Sequence, residues 1–340
     1  MTISALPESA HQPLRGGPVL RWGVLAPGRI AGDWVASVHE NTDQRVVAVA
    51  SRTLSRAETF AATHGIERAY GSYEQLLAEP DVDIVYIAAP HSEHHTLALL
   101  AISAGKHILV EKPIATTAEE ARSIREAAQA AGVFAMEALW SQYLPQTSVI
   151  SQLMRNGDLG EITFVEANFG FAAPFDATSR LFDPALAGGA LLDLGVYTAW
   201  FAHFALGNPA TVSATGTLAS TGVDDHSVVA LGYDGPAVAA MTSTIIVDTP
   251  GTGMICGAAA RVEMEKFMSV ADFTVVQRGA DPIHWQDTNA LEWRAGLCYQ
   301  APAAAAFVAD GLLESPQHGL GDSIAVLEVL DAARAQLGAV

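Results

Sequence analysis

Two domains are predicted: an N-terminal α/β domain on a doubly wound parallel sheet, and a C-terminal α+β domain on a largely antiparallel, open sheet. Three observations predict them. The chain has 340 residues, too many for one ordinary core. Between residues 20 and 139 short β-branched runs alternate with longer helical patterns, as parallel strands joined by helical crossovers require. After about residue 140 strand-like runs follow one another across short turn signals, such as Asp234-Gly235 and Pro250-Gly251. The expected divisions are a flexible arm at 1–18, a first domain at 19–139 and a second at 140–340.

In the first domain the strands are expected at 20–26, 45–51, 83–89, 107–110 and 133–137. The run Arg45-Val46-Val47-Ala48-Val49-Ala50-Ser51 is the plainest of them, β-branched and apolar. Helices fill the intervals at 30–39, 54–64, 93–104 and 117–131, the last rich in Ala and Glu. In the second domain strands are expected at 162–169, 210–218, 227–233, 238–247 and 273–277. A helix at 189–204 precedes most of these, and two more, at 292–313 and 322–337, close the chain. There is no internal repeat.

Composition narrows the functional classes. Hydrophobic residues make up 50% and charged residues 16%, so the chain is globular. The formal net charge of −19 opposes binding to nucleic acid or an anionic membrane. No apolar run reaches the roughly 18 residues of a membrane span, and residues 1–18 do not resemble a secretion signal. Cys256 and Cys298 lie far apart without metal-ligand neighbours and read as reduced thiols. No paired His at helical spacing accompanies a carboxylate, so no metal is expected. A cytoplasmic protein is the expectation.

The first strand runs into Ala26-Pro27-Gly28-Arg29-Ile30-Ala31. This is a degenerate G-x-G-x-x-G/A fingerprint, with Ala26 in the first glycine position, Gly28 in the second and Ala31 in the third. The middle glycine lets backbone approach a pyrophosphate at the positive end of the next helix, as in a Rossmann domain. Ala26 requires a turn that avoids positive φ or tolerates a β-carbon. The second strand ends in Ser51-Arg52, where an NAD-selective site carries an acid for the ribose 2′-hydroxyl. A hydroxyl and a guanidinium suit a 2′-phosphate instead, so NADP is the expected cofactor, with NAD possible. The third and fourth strands end in Ala89-Pro90-His91 and Glu111-Lys112-Pro113, at the carboxyl edge where open parallel sheets bind ligands. The cofactor contacts expected are thus Ala26, Gly28, Arg29, Ile30, Ser51, Arg52, Ala89, Pro90, His91, His94, Glu111 and Lys112. For His94 and its neighbour His95 a capping or packing role competes with ligand contact.

The segment Gly105-Lys106-His107-Ile108-Leu109-Val110-Glu111-Lys112-Pro113 resembles the Gfo/Idh/MocA (glucose–fructose oxidoreductase / inositol dehydrogenase) family. Met136-Glu137-Ala138-Leu139-Trp140, Gly188 to Tyr197 and Gly311 to Pro316 extend the resemblance over roughly residues 20–338. It is nearest the branch of dimeric dihydrodiol dehydrogenase and D-xylose 1-dehydrogenase. There are departures: His91 stands where Asn is frequent, Trp140-Ser141-Gln142 replaces a Trp-x-Arg, and Tyr299 lies on the late helix where several relatives have His.

The resemblance implies hydride transfer between nicotinamide and a secondary alcohol or hemiacetal carbon of a sugar or cyclic diol. Asp193 and Tyr197 are four apart on a helical pattern and share a face. Tyr197 is the expected general acid/base, with Lys112 polarising the substrate oxygen and tuning the phenol. Lys112 as the direct proton carrier is the rival. Asp193 is expected to orient the substrate or Lys112, because a buried carboxylate needs a partner and Lys112 is the obvious one. Phe171, Arg180, Asp225 and His284 are further candidates for the substrate pocket. Two alternatives stay open: an NAD-dependent inositol dehydrogenase or sugar-ketone reductase, and a non-catalytic dinucleotide sensor. An open apolar sheet face in the second domain predicts a homodimer or higher homo-oligomer.

Overall fold

The computed structural model describes residues 3–269, 271–287, 289 and 291–340, so the first two residues of the arm expected at 1–18 lie outside it. Along the first half the elements are β1 (Arg21–Leu25), α1 (Arg29–Asn41), β2 (Arg45–Ala50), α2 (Leu54–His64), β3 (Arg68–Tyr70), α3 (Tyr73–Leu77), β4 (Ile84–Ile87), α4 (His94–Ser103), β5 (His107–Glu111), α5 (Ala118–Ala131) and β6 (Ala135–Ala138). There follow α6 (Pro145–Arg155), β7 (Ile162–Gly170), α7 (Val196–Leu206), β8 (Thr211–Leu218), β9 (Asp224–Gly232), β10 (Val238–Thr244), β11 (Gly253–Gly257), β12 (Ala260–Met264), β13 (Phe273–Gln277), β14 (Ile283–Trp285), α8 (Gln300–Ala309) and α9 (Leu320–Leu337).

The chain forms two compact units. One comprises His11–Tyr143 and Arg294–Ile324. Its sheet has the order β3-β2-β1-β4-β5-β6, with every pair parallel. The order reverses between β1 and β4, the switch point where such sheets bind ligands. β4 and β6 are buried throughout and β1 and β5 beyond their first residues, as a sheet covered on both faces demands. Trp34 of α1 stacks on Tyr86 of β4 at 4.3 Å between centroids, with Trp22 edge-on. The Trp22 indole N–H donates to Gln44 Oε1, so its burial leaves no orphan donor. Helix α5 starts as its sequence indicates: Thr117 Oγ1 accepts from Glu120 N–H, and Glu120 reaches back to Thr116 N–H.

The other unit comprises Leu144–Trp293, Ala325–Val340 and an N-terminal piece ending at Ala10. Its eight strands run β14-β13-β12-β11-β7-β10-β9-β8. All pairs are antiparallel except β7 with β10, a mixed sheet around one parallel ladder. The expected antiparallel character is therefore present, with one exception at its centre. Residues 184–206 are long and apolar enough by composition to cross a membrane, and 83% of their 18-residue apolar window is buried in this fold. A helix apolar on all sides belongs in a core, and Trp200 and Phe201 are buried there.

The arm is anchored rather than loose. Ile3 exchanges two hydrogen bonds with the Gln277 amide, and Ser9 meets Ser148. Farther along, the Arg15 guanidinium binds the carbonyls of Glu40 and Thr42 and the Asp43 carboxylate.

Candidate active site

The glycine-loop side is built by β1 and α1. Ala26 adopts φ +60°, so its turn tolerates the β-carbon rather than avoiding the left-handed region. Gly28 is the N-cap of α1 and no side chain caps that helix end. A β-carbon built on Gly28 would meet no atom within 4 Å. Open space in front of uncapped helical N–H groups fits a pyrophosphate. An open groove of about 470 Å³ continues past Gly28 and Arg29 to Ser55, Arg56 and Phe60. At the end of β2, Ser51 is buried, with its N–H on Tyr70 O and its hydroxyl accepting from Thr53 N–H. Arg52 is exposed. Burial pushes the Tyr73 phenol up, Glu93 and Glu74 add to the rise, and Arg52 and Arg56 oppose it. Arg56 is the residue that sequence reading passed over. Its signal was its position in the first turn of the helix after Ser51-Arg52.

The end of β5 carries the Glu111-Lys112-Pro113 turn. The peptide between Lys112 and Pro113 is cis. Three backbone polar groups around it are held by buried side chains. Lys112 N–H donates to Glu111 Oε2 at 3.2 Å. Pro113 O lies 2.7 Å from His94 Nδ1, whose other ring nitrogen is 2.9 Å from Ala89 O. Ile114 N–H donates to Glu137 Oε1 at 2.9 Å. Glu111 accepts a short hydrogen bond from Tyr86 Oη, and burial pushes its carboxyl above the usual range. Burial likewise pushes His94 down. His94 was expected among the cofactor contacts. It is fully enclosed with both nitrogens on carbonyls, so the competing packing role is the one that fits: it ties the ends of β4 and β5 together. His91, also buried, packs against its ring.

Asp193 and Tyr197 come from the other unit. The helix expected at 189–204 opens with a π-helical turn, Leu191–Gly195, before α7. Such turns gather at functional sites. Asp193 sits in it, 3% exposed. Its carboxylate forks with the Arg180 guanidinium at 3.0 and 3.2 Å. Within its own unit the carboxylate thus has an ion-pair partner in Arg180, one of the residues proposed for the substrate pocket. Bidentate geometry fixes the plane of the carboxylate. Tyr197 is buried, its ring edge-on to Phe169 at 5.8 Å. Phe171 packs on the apolar cluster of Phe182, Leu194 and Ile245. Asp225 accepts from the Thr217 hydroxyl, and His284, largely exposed on an edge strand, pairs with Asp272. Neither of these two joins Asp193.

Comparison with known proteins agrees with this layout. Residues 20–139 match the model "Oxidoreductase family, NAD-binding Rossmann fold", and residues 148–263 match the "GFO/IDH/MocA C-terminal domain". A trans-1,2-dihydrobenzene-1,2-diol dehydrogenase of Mus musculus is 36% identical over 94% of this chain and 97% of its own. That of Xenopus laevis is 35% identical over 94% and 98%. The crystal structure of an aldose-aldose oxidoreductase from Caulobacter crescentus superposes with a TM-score of 0.83 at 25% identity, over 94% of this chain and 97% of that one. Both halves and nearly the whole length agree, so the chain belongs to the Gfo/Idh/MocA family of oxidoreductases.

Proposed function

We propose that the protein is an NADP-preferring dehydrogenase acting on a secondary alcohol or hemiacetal carbon of a sugar or cyclic diol. The observation that carries the cofactor choice is the turn after β2: Ser51 to Ser55 contains no acid, Arg52 is exposed on it, and Arg56 follows in the first turn of α2, lining the groove that runs past Gly28. A carboxylate there would repel a 2′-phosphate, whereas guanidinium groups bind one by charge-assisted forks. Ala26, Gly28, Arg29 and Ile30 are assigned to the pyrophosphate. Ala89, Pro90, His91, Glu111 and Lys112 would hold the rest of the cofactor. The substrate class draws on relatives whose names specify a cyclic diol and aldoses.

When bound, the nicotinamide exchanges a hydride with the substrate carbon. Tyr197 moves the hydroxyl proton. A free phenol has a pKa of about 10, so it needs a cation to act near neutrality. Lys112 polarises the substrate oxygen and favours the phenolate. Asp193, held flat by Arg180, orients the substrate. Turnover of aldoses, inositols and trans-dihydrodiols with NADP and NAD in both directions tests the whole reading. For Arg52→Ala, the NADP to NAD ratio of kcat/KM should fall by about 10-fold or more, the loss of one charge-assisted bond worth roughly 1.5–3 kcal/mol. An unchanged ratio would exclude a 2′-phosphate contact.

The assembly we infer is a homodimer in the cytoplasm, where Cys256 and Cys298, both free, stay reduced. Val228 and Val238 stand exposed on neighbouring strands β9 and β10, on one sheet face. Apolar exposure on a flat sheet suits a self-complementary interface. Sedimentation equilibrium should show a dimer at micromolar concentration, and a monomer alone would remove this assignment.

A further inference from the structure

Beneath the Lys112 turn lies a buried polar cluster that the proposed chemistry does not use. Glu137 lies on β6 opposite Val110 of β5 and is 2% exposed. Its Oε1 accepts from Ile114 N–H, two residues past Lys112. Its Oε2 accepts from the Ser323 hydroxyl at 2.6 Å and faces His318 Nε2 at 3.3 Å. Ser323 and His318 are themselves 3.2 Å apart, and the backbone N–H of His318 donates to Ser315 Oγ. All three side chains of the cluster are buried. Burying a carboxylate this deeply is costly unless it is hydrogen-bonded on both oxygens. Desolvation pushes Glu137 up, but His318, Ser323 and Ile114 together outweigh it and hold the carboxyl below its usual range. An apolar side chain would fill β6 at lower cost, yet it would leave Ile114 N–H without an acceptor.

We propose that Glu137, braced from behind by His318 and Ser323, is a positioning residue that sets Lys112 through the Ile114 N–H bond. The inference rests on the reading of Lys112 as the group that polarises the substrate. Glu111, His94 and Glu137 anchor the turn, and Glu137 reaches past Pro113 to the Ile114 N–H on its far side. The brace comes from the segment just before α9 and the first turn of α9, so residues distant in sequence fix the place of Lys112. A displacement of about 1 Å in a catalytic group can cost roughly 10²-fold in rate.

The test compares Glu137→Gln with Glu137→Asp. Gln keeps the reach and the acceptor oxygen for Ile114, and its amide can donate to Ser323 and His318, but the charge is gone. Asp keeps the charge and loses one methylene of reach. If position is what matters, Gln retains kcat within about fivefold, while Asp loses about 10²-fold. Cofactor Kd, read by reduced-nicotinamide fluorescence, should stay unchanged in both. In a Lys112→Ala background the Asp substitution should cost little more, because both changes remove one function. Wild-type kcat in Glu137→Asp, an equal loss in Gln and Asp, or full additivity with Lys112→Ala would each overturn the proposal. Failure of the parent reading looks different: Lys112→Ala would then keep its kcat. Glu137→Ala leaves the buried Ile114 N–H without its acceptor and is useful only as a folding control by thermal melting.

Discussion

Lys112→Ala is expected to lower kcat by about 10²–10⁴-fold, the range that a positioned acid, base or polarising group supplies. The fold should persist, and cofactor Kd should rise far less than kcat falls. The backbone of the turn is held by Glu111, His94 and Glu137. Tyr197→Phe completes the experiment. The ring keeps its edge contact with Phe169 and loses only the hydroxyl. If Tyr197 carries the proton, Phe lowers kcat over the same range and abolishes the limb of the pH profile that reports the phenol. If Lys112 carries it, Phe turns over near the wild-type rate and the limb disappears in Lys112→Ala instead. A cofactor Kd that rose in parallel with the loss of kcat would move Lys112 from chemistry to cofactor binding.

Much of this arrangement was legible because local signals were strong. The β-branched run at 45–51 and the capping pattern at Thr117-x-x-Glu120 each dictate an element on their own. β3 and β14, three residues each, have too little periodicity to register. β11 is bounded by glycines at both ends, which reads as turn. α6 was legible and passed over: Pro145 at its first turn and Val149, Ile150 and Leu153 on one face are helical signals. The return of Arg294–Ile324 to the first unit has no local signature, since it depends on tertiary partners such as Arg125 with Glu314 and Glu137 with Ser323. The same holds in the site. Gly28, Ser51-Arg52 and Lys112 stand in motifs. The Arg180 fork on Asp193 and the His318–Ser323 brace join residues whose spacing along the chain says nothing of their meeting.

Asp224→Asn should stabilise the protein at pH 7.5 by about 1–3 kcal/mol and by well under 1 kcal/mol at pH 4. Asp224 is 1% exposed, and its Oδ2 accepts from Leu191 N–H at 2.7 Å, at the start of the helix that carries Asp193 and Tyr197. A carboxylate suits the first turn of a helix, whose N–H groups lack partners. Room for it is made by Gly189: at φ +118° a β-carbon would stand 2.4 Å from Asp224 Oδ1. Desolvation dominates all the same. It raises the carboxyl from 3.8 to about 6, against the Leu191 N–H bond and Arg334, with Asp225 adding to the rise. The sign follows from proton counting. Between pH 3.8 and 6 the folded chain holds a proton that the unfolded chain has released, so stability falls as pH rises through that window. Above it the full cost remains, about 3 kcal/mol for a shift of this size, less whatever the altered hydrogen bonds of the amide forfeit. Asn keeps an oxygen for Leu191 N–H and cannot ionise, so it escapes the cost where Asp224 is charged and gains nothing where Asp224 is neutral. Urea unfolding at the two pH values measures the difference. Lower stability of the Asn variant at pH 7.5 would mean that the anion is a net favourable cap, and that the helix bearing Asp193 and Tyr197 is held by charge rather than in spite of it.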